Sequence, residues 1–208
     1  MGGFDGATVL FDLDGVLVDS ETAIREGLLA WARERDLDPA VVLGHSHGRT
    51  NAGLVELVAP HLDPEDEDLV IEGHEAALGD TVRAMPGAHD LLAELKGRGR
   101  PWAVVTSGSH RIATARIAAA GLPLPGVLVT ADDVTQGKPH PEPYLLGAER
   151  MGAEPSECVV VEDSPGGTRA GLAAGMPVVA VASTTAKEHL THATAVVDGL
   201  ADVTRLLV

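Results

Sequence analysis

This chain of 208 residues has a single cysteine, Cys158, and only three lysines, Lys96, Lys138 and Lys187. One cysteine excludes an internal disulfide. Its setting, Cys158-Val159-Val160-Val161, is that of a buried structural thiol. No apolar run approaches the roughly 20 residues that a helix needs to cross a bilayer. The first residues, Met1-Gly2-Gly3-Phe4-Asp5, carry neither the basic stretch nor the apolar core of a secretory leader, so a cytoplasmic protein is expected. Positive charge is scarce: 15 Lys and Arg stand against 31 Asp and Glu, a formal charge of −16. That balance argues against nucleic acid and anionic membrane as partners, both of which need a basic face. It leaves room for a small anionic substrate in a locally positive pocket, especially beside a divalent cation. Nine histidines are present, but none has a tight metal-binding spacing, and His45-x-His47 reads as loop. There is no internal repeat or low-complexity tract, and nothing demands an oligomer, so a monomer is expected.

What is present is a chain with 45% apolar residues, long enough for one domain with a small insert. Strand candidates fall at 7–11, 101–106, 126–130, 158–162, 177–181 and 194–197. They are continuous apolar runs, as expected of strands covered on both faces. Helical patterns lie near 87–98, 109–120, 141–151, 165–174 and 199–207, and the alternation predicts a doubly wound α/β fold with a parallel sheet. Ser164-Pro165 is a good helix start. Residues 21–86 read as helices alone, at 21–35, about 50–59 and about 64–83, with the acidic run from Asp63 to Asp68 as a solvated helix start. The expected division is therefore an α/β core of residues 1–19 and 87–208, with a helical cap of residues 20–86 inserted after the first strand.

Four segments at the C-terminal ends of predicted strands carry chemical groups, and that edge of a parallel sheet is where ligands bind. In Val9-Leu10-Phe11-Asp12-Leu13-Asp14-Gly15, an apolar run leads into two carboxylates whose spacing puts both on one side of an extended segment. Gly15 then lets the backbone turn sharply. Alone, this is a strand ending in a solvated acidic turn. Val104-Val105-Thr106-Ser107-Gly108-Ser109 offers hydroxyls and backbone N–H groups to an anion, or simply caps a helix. Gln136-Gly137-Lys138-Pro139-His140-Pro141 places one of the few lysines in a proline-stiffened loop, and Val161-Glu162-Asp163-Ser164 again ends an apolar strand in acids. Together they supply carboxylates for a hard cation such as magnesium, a lysine, a hydroxyl and an anion-friendly turn. A carboxylate can also act as a nucleophile toward phosphorus.

These motifs, in this order from residue 9 to residue 167, resemble the haloacid dehalogenase superfamily, in its branch of phosphatases with a helical cap after the first strand. Ser46-His47-Gly48-Arg49-Thr50, the run from Trp102 to Gly108 and the run from Thr130 to Tyr144 are also similar to fungal glycerol-phosphate and deoxyglucose-phosphate phosphatases. The resemblance implies that Asp12 is the nucleophile, Asp14 the general acid/base, Thr106 the hydroxyl that holds the phosphoryl group, and Lys138 the lysine that neutralises it. Ser107 and Gly108 then lie against the substrate phosphate. Asp163 and Glu162, with Asp12 and the backbone carbonyl of Asp14, form the expected Mg²⁺ site. Arg49 occupies the cap loop where relatives contact substrate; by itself it reads equally as a surface arginine at a helix start. The expected activity is magnesium-dependent hydrolysis of small phosphomonoesters, sugar or polyol phosphates. A dehalogenase needs neither Asp14 nor the acidic pair, and a non-enzymatic relative would lack one of the key groups. A phosphomutase of the β-phosphoglucomutase type remains the alternative, although Ile24 stands where those mutases carry a histidine, twelve residues after the nucleophile.

Overall fold

The computed structural model describes Phe4 and residues 6–46 and 49–207. Its strands are β1 (Thr8–Phe11), β2 (Val18–Asp19), β3 (Arg83–Ala84), β4 (Trp102–Val105), β5 (Leu128–Val129), β6 (Cys158–Glu162), β7 (Val178–Val181) and β8 (Ala195–Val197). The helices are α1 (Glu21–Glu34), α2 (Pro39–Ser46), α3 (Asn51–Val58), α4 (Pro64–Ala76), α5 (Ala88–Gly97), α6 (His110–Ala119), α7 (Glu142–Met151), α8 (Pro165–Ala173) and α9 (Leu200–Leu207). Six strands form a parallel sheet in the order β5-β4-β1-β6-β7-β8, which establishes the α/β class.

The uninterrupted apolar strands follow from covering both faces of that sheet. In β1, Val9 and Phe11 join one core cluster and Leu10 the other; in β6, Val159 and Val161 part from Val160 in the same way. Side chains alternate across a strand, so a sheet with two buried faces needs apolar residues at every position. Helices α5, α6 and α9 cover the first face through Leu91, Leu95, Ile117 and Val203. Helices α7 and α8 cover the second through Tyr144, Ala148 and Ala170. The Cys158 thiol is buried there, and burial together with Glu157 raises its pKa to about 11, as expected of an inert thiol.

Helices α1–α4 pack around a core of their own, built on Leu28, Trp31, Leu54, Val55 and Ile71. Three sequence expectations are corrected in this region. Pro39–Ser46 is helical, so His45 lies on α2 rather than in a loop; His47 is outside the described residues. The expectation of helices alone across 21–86 misses β3, which pairs antiparallel with β2 as Val18↔Ala84 and Asp19↔Arg83, in a ribbon separate from the main sheet. The acidic run is capped by Asp63, which accepts from the Glu65 and Asp66 amides, but it is not wholly solvated. Glu67 turns inward and accepts from Trp31 Nε1 at 2.5 Å and Arg35 Nε at 2.8 Å, because the indole N–H needs a partner once buried.

Candidate active site

The groups singled out above converge at one edge of the sheet. Asp12 follows β1 directly, and its amide bonds to the Val161 carbonyl at 2.9 Å, continuing the ladder to β6. Thr106 follows β4, and Glu162 and Asp163 sit at the end of β6. With Asp14, Ser107, Gly108, Lys138 and Arg49 they line a cavity of about 390 Å³ between the sheet edge and helices α1–α4. Gly15 makes the turn that returns the chain over this edge, with φ of +78°. A Cβ there would lie 2.1 Å from Asp163 Oδ2, so close approach and backbone conformation both demand glycine.

Lys138 is buried at the centre. Its Nζ donates to Asp12 Oδ1 at 2.6 Å, to Glu162 Oε1 at 2.8 Å and to the Val105 carbonyl at 3.0 Å. Burial opposes its charge, but Asp12 and Glu162 outweigh burial and hold the ammonium above its ordinary pKa. All three ammonium protons are thereby spent, which fixes the lysine as a point charge beside Asp12.

Glu162 is fully buried and heavily engaged. Oε1 also accepts from the Tyr144 hydroxyl at 2.9 Å, and Oε2 accepts from the amides of Asp163 and Ser164 and from Ser164 Oγ. Burial raises its pKa, yet Lys138 and these donors lower it further, so the carboxylate stays ionised. A Cβ on Gly167 would fall 1.6 Å from Glu162 Oε1. Gly167 at the start of α8 therefore makes room for this carboxylate. Tyr144, the only tyrosine, was not assigned from sequence; it lies inside the Thr130–Tyr144 run and takes its importance from a residue 18 positions away.

Asp12, Glu162 and Asp163 place carboxylate oxygens within 4.8 Å of one another, all buried. Burial, with Glu162 and Asp12 nearby, pushes Asp163 well above the ordinary carboxylate range. Burial likewise raises Asp12, which Lys138 opposes and Glu162 and Asp14 assist, to about 7. Three buried carboxylates against one lysine are an unbalanced charge, and oxygen donors of this kind suit a hard divalent cation. The donor set therefore fits a metal. The Asp14 carboxylate lies outside that cluster: Oδ1 accepts from Ser20 Oγ at 2.5 Å and Oδ2 from Arg116 Nη1 at 2.8 Å.

Thr106 is buried with its hydroxyl oxygen accepting from the Gly108 amide at 3.1 Å. Ser107 and Gly108 complete this turn before α6, whose N-cap Ser109 accepts from the Ile112 amide. Arg49 is exposed on the opposite wall, where its amide bonds to Ser46 O, and it also borders a shallower groove along the loop from Gln136 to Pro141. Gly48, beside Arg49 in the sequence, is outside the described residues. Ile24 is part of the cavity wall. Arg116 and Glu75 also line the cavity and were not anticipated; the available signal was an arginine on the otherwise apolar Ile112-Ala113-Ile117 face of α6.

The comparisons agree with this geometry. The family profile of haloacid dehalogenase-like hydrolases matches residues 7–175. Hexitol phosphatase A of Escherichia coli is 44% identical over 198 residues, covering 94% of this chain and 92% of that protein. The fructose-1-phosphate phosphatase of the same organism is 38% identical over 184 residues, covering 84% and 96%. A hydrolase from Pseudomonas syringae has the same fold, with a TM-score of 0.88 at 24% identity over 97% of this chain and 100% of that one. By fold, site and sequence together, the chain belongs to the haloacid dehalogenase-like hydrolases.

Proposed function

We propose that this enzyme is a magnesium-dependent phosphatase of small sugar or polyol phosphates that works through an aspartyl-phosphate on Asp12. The observation that carries the reading is the placement of Asp12 at a rigid strand end, paired with Lys138 at 2.6 Å and facing a cavity shared with Asp14 and Thr106. Asp12 attacks phosphorus as the ester P–O bond breaks, and Asp14 gives its proton to the departing alkoxide, releasing the alcohol. Water then attacks the same phosphorus, Asp14 takes its proton, and the Asp12–phosphorus bond breaks to free inorganic phosphate. Thr106 and the Ser107 and Gly108 amides hold the phosphoryl oxygens, while Lys138 offsets the repulsion between nucleophile and dianion. Asp12 and Asp163, with the Asp14 carbonyl, would hold the Mg²⁺, which supplies charge neutralisation at the phosphate, and Glu162, its oxygens already accepting from Lys138, Tyr144 and Ser164, would add its charge beside the ion.

Residues 20–86 act in this reading as a cap that closes the cavity and keeps bulk water out. Arg49 contributes substrate contacts from that cap. A 390 Å³ cavity with Arg25, Ser46, Arg49 and Asn51 on the cap side suits a short hydroxylated ester, in keeping with the substrates named for the relatives. The working form is a cytoplasmic monomer acting on a dissolved phosphomonoester, with neither nucleic acid nor membrane as partner. No helix among the described residues is long and apolar enough to cross a membrane. The phosphomutase alternative has less support, because Ile24 offers the substrate no proton-transfer group. A phosphate-release screen with Mg²⁺ over a phosphosugar and polyol-phosphate panel tests the reading. Release from these esters, abolished in Asp12→Asn, is the expected result; phosphoryl transfer to a second sugar would instead favour the mutase.

A further inference from the structure

The contacts of Arg116 extend the site beyond the groups that carry the reaction. This residue lies on α6, on a face otherwise made of Ile112, Ala113 and Ile117, and its side chain is almost fully buried. Its guanidinium is divided between two carboxylates. Nη1 donates to Asp14 Oδ2 at 2.8 Å, and Nη2 donates to Glu75 Oε2 at 2.6 Å. Glu75 is on α4, in the helical layer, and is as deeply buried as the arginine. A fork of fixed geometry can hold two carboxylates at a set separation, which a lysine ammonium cannot reproduce. Space for Glu75 is created by Gly27 on α1, where a Cβ would come 2.7 Å from Glu75 Cγ. Glycine in a helix interior is unfavourable relative to alanine, so its presence there has a local reason in this contact. The second bridge between the same two helices, Arg111 to Glu72, has an arginine that is 56% exposed, and solvent weakens it.

We propose that Arg116 is a positioning residue for Asp14, and that Glu75 makes this positioning depend on how the helical layer is seated against the core. One Asp14 oxygen is held by Ser20 at the start of α1 and the other by Arg116, so the carboxylate is clamped between an element of the helical layer and one of the core. Glu75 pins the far side of the same guanidinium. Displacing α4 therefore displaces the group that aims Asp14, and proton transfer is fully set up only with the cavity closed. The inference rests on the reading of Asp14 as the acid/base.

The test is a double-mutant cycle read with two leaving groups. Sorbitol 6-phosphate has an alkoxide leaving group that needs a proton, whereas p-nitrophenyl phosphate departs without one, and kcat/KM reports the step in which it leaves. Arg116→Met should lower kcat/KM for sorbitol 6-phosphate by about 10- to 100-fold, a part of the general acid effect, and that for p-nitrophenyl phosphate by less than about 3-fold. In an Asp14→Asn background, Arg116→Met should cost less than about 2-fold further on either substrate, because the group it positions is already gone. Glu75→Gln and Gly27→Ala, which disturb the clamp while leaving Arg116 and Asp14 themselves in place, should show the same leaving-group split at smaller size, which guards against a variant that merely misfolds. A full additional loss from Arg116→Met in the Asp14→Asn background would overturn the proposal and make Arg116 a direct substrate contact. Equal losses on both substrates in all three single variants would overturn it in favour of a structural role. Asp14→Asn itself retaining full activity on sorbitol 6-phosphate would refute the acid/base reading instead, a result distinct from either.

Discussion

Lys138 illustrates how this site concentrates its chemistry in single residues. Its three donors are spent on Asp12, Glu162 and Val105, so Asp12 has a charged partner in a fixed place. Asp12→Asn is expected to remove essentially all turnover, and Asp14→Asn on the order of 10²–10⁴ in rate, the usual size of a general acid–base effect; steady-state phosphate release measures both. Arg49 differs in kind, being exposed on the cavity wall formed with helices α1–α4. Arg49→Ala should reduce kcat/KM for a polyol phosphate far more than for p-nitrophenyl phosphate, and should leave Mg²⁺ affinity nearly unchanged in a titration. Unlike Arg116→Met, it should keep its full effect in an Asp14→Asn background. Asp12, Asp14 and Asp163 were legible in the sequence because each follows an apolar run, and Lys138 because it is one of only three lysines and sits in a proline-stiffened loop. Tyr144, Arg116 and Glu75 were not, because their partners lie 18, 102 and 41 residues away and no local pattern links them.

Among the elements, the strands and helices of the α/β core follow their apolar runs closely, since burial on both faces writes itself into every strand position. The two-residue strands β2 and β3 are too short to show any period, and α2 is a short helix that contains Gly44 and two β-branched valines, so neither announced itself. A loop element carries the clearest pH signature. Asp133 accepts from the Thr130 amide and hydroxyl and from Arg150 at 2.7 Å, joining the turn after β5 to the end of α7. The Arg150 hydrogen bond, ahead of the opposing effect of burial, lowers its pKa from 3.8 to about 2. A folded value below the unfolded one means that its stabilisation is present above pH 3.8 and lost as pH falls towards 2. Urea midpoints measured across that interval should therefore fall less steeply in Asp133→Asn than in the parent protein, with the variant weaker at pH 6.

At the scale of the whole molecule, the buried carboxylates should tie stability to a bound cation. Mg²⁺ should raise the melting temperature, since a ligand bound only by the folded state at 100 times its Kd contributes about 2.7 kcal/mol. Asp163→Asn should melt higher than the parent when both are metal-free, because the cost of burying an ionisable carboxyl beside Asp12 and Glu162 is gone, and should lose most of the Mg²⁺-dependent gain; calorimetry with and without chelator measures both effects. Turnover should vanish on rigorous chelation. Ca²⁺ should restore it poorly, because its looser, higher coordination lets a carboxylate bind through both oxygens and leaves the nucleophile none to attack with. The sheet order has a further consequence, for synthesis. β1 is made first but occupies the interior of the sheet, between β4 and β6. A chain emerging from the ribosome holds Val9-Leu10-Phe11 without a parallel neighbour until Trp102–Val105 has appeared, and with one open edge until Cys158–Glu162 follows. Such distant pairings fold slowly and leave apolar edges exposed to aggregation in the meantime. Nascent chains stalled before residue 158 should therefore be the protease-sensitive, chaperone-dependent ones, and those extended past β7 should become resistant.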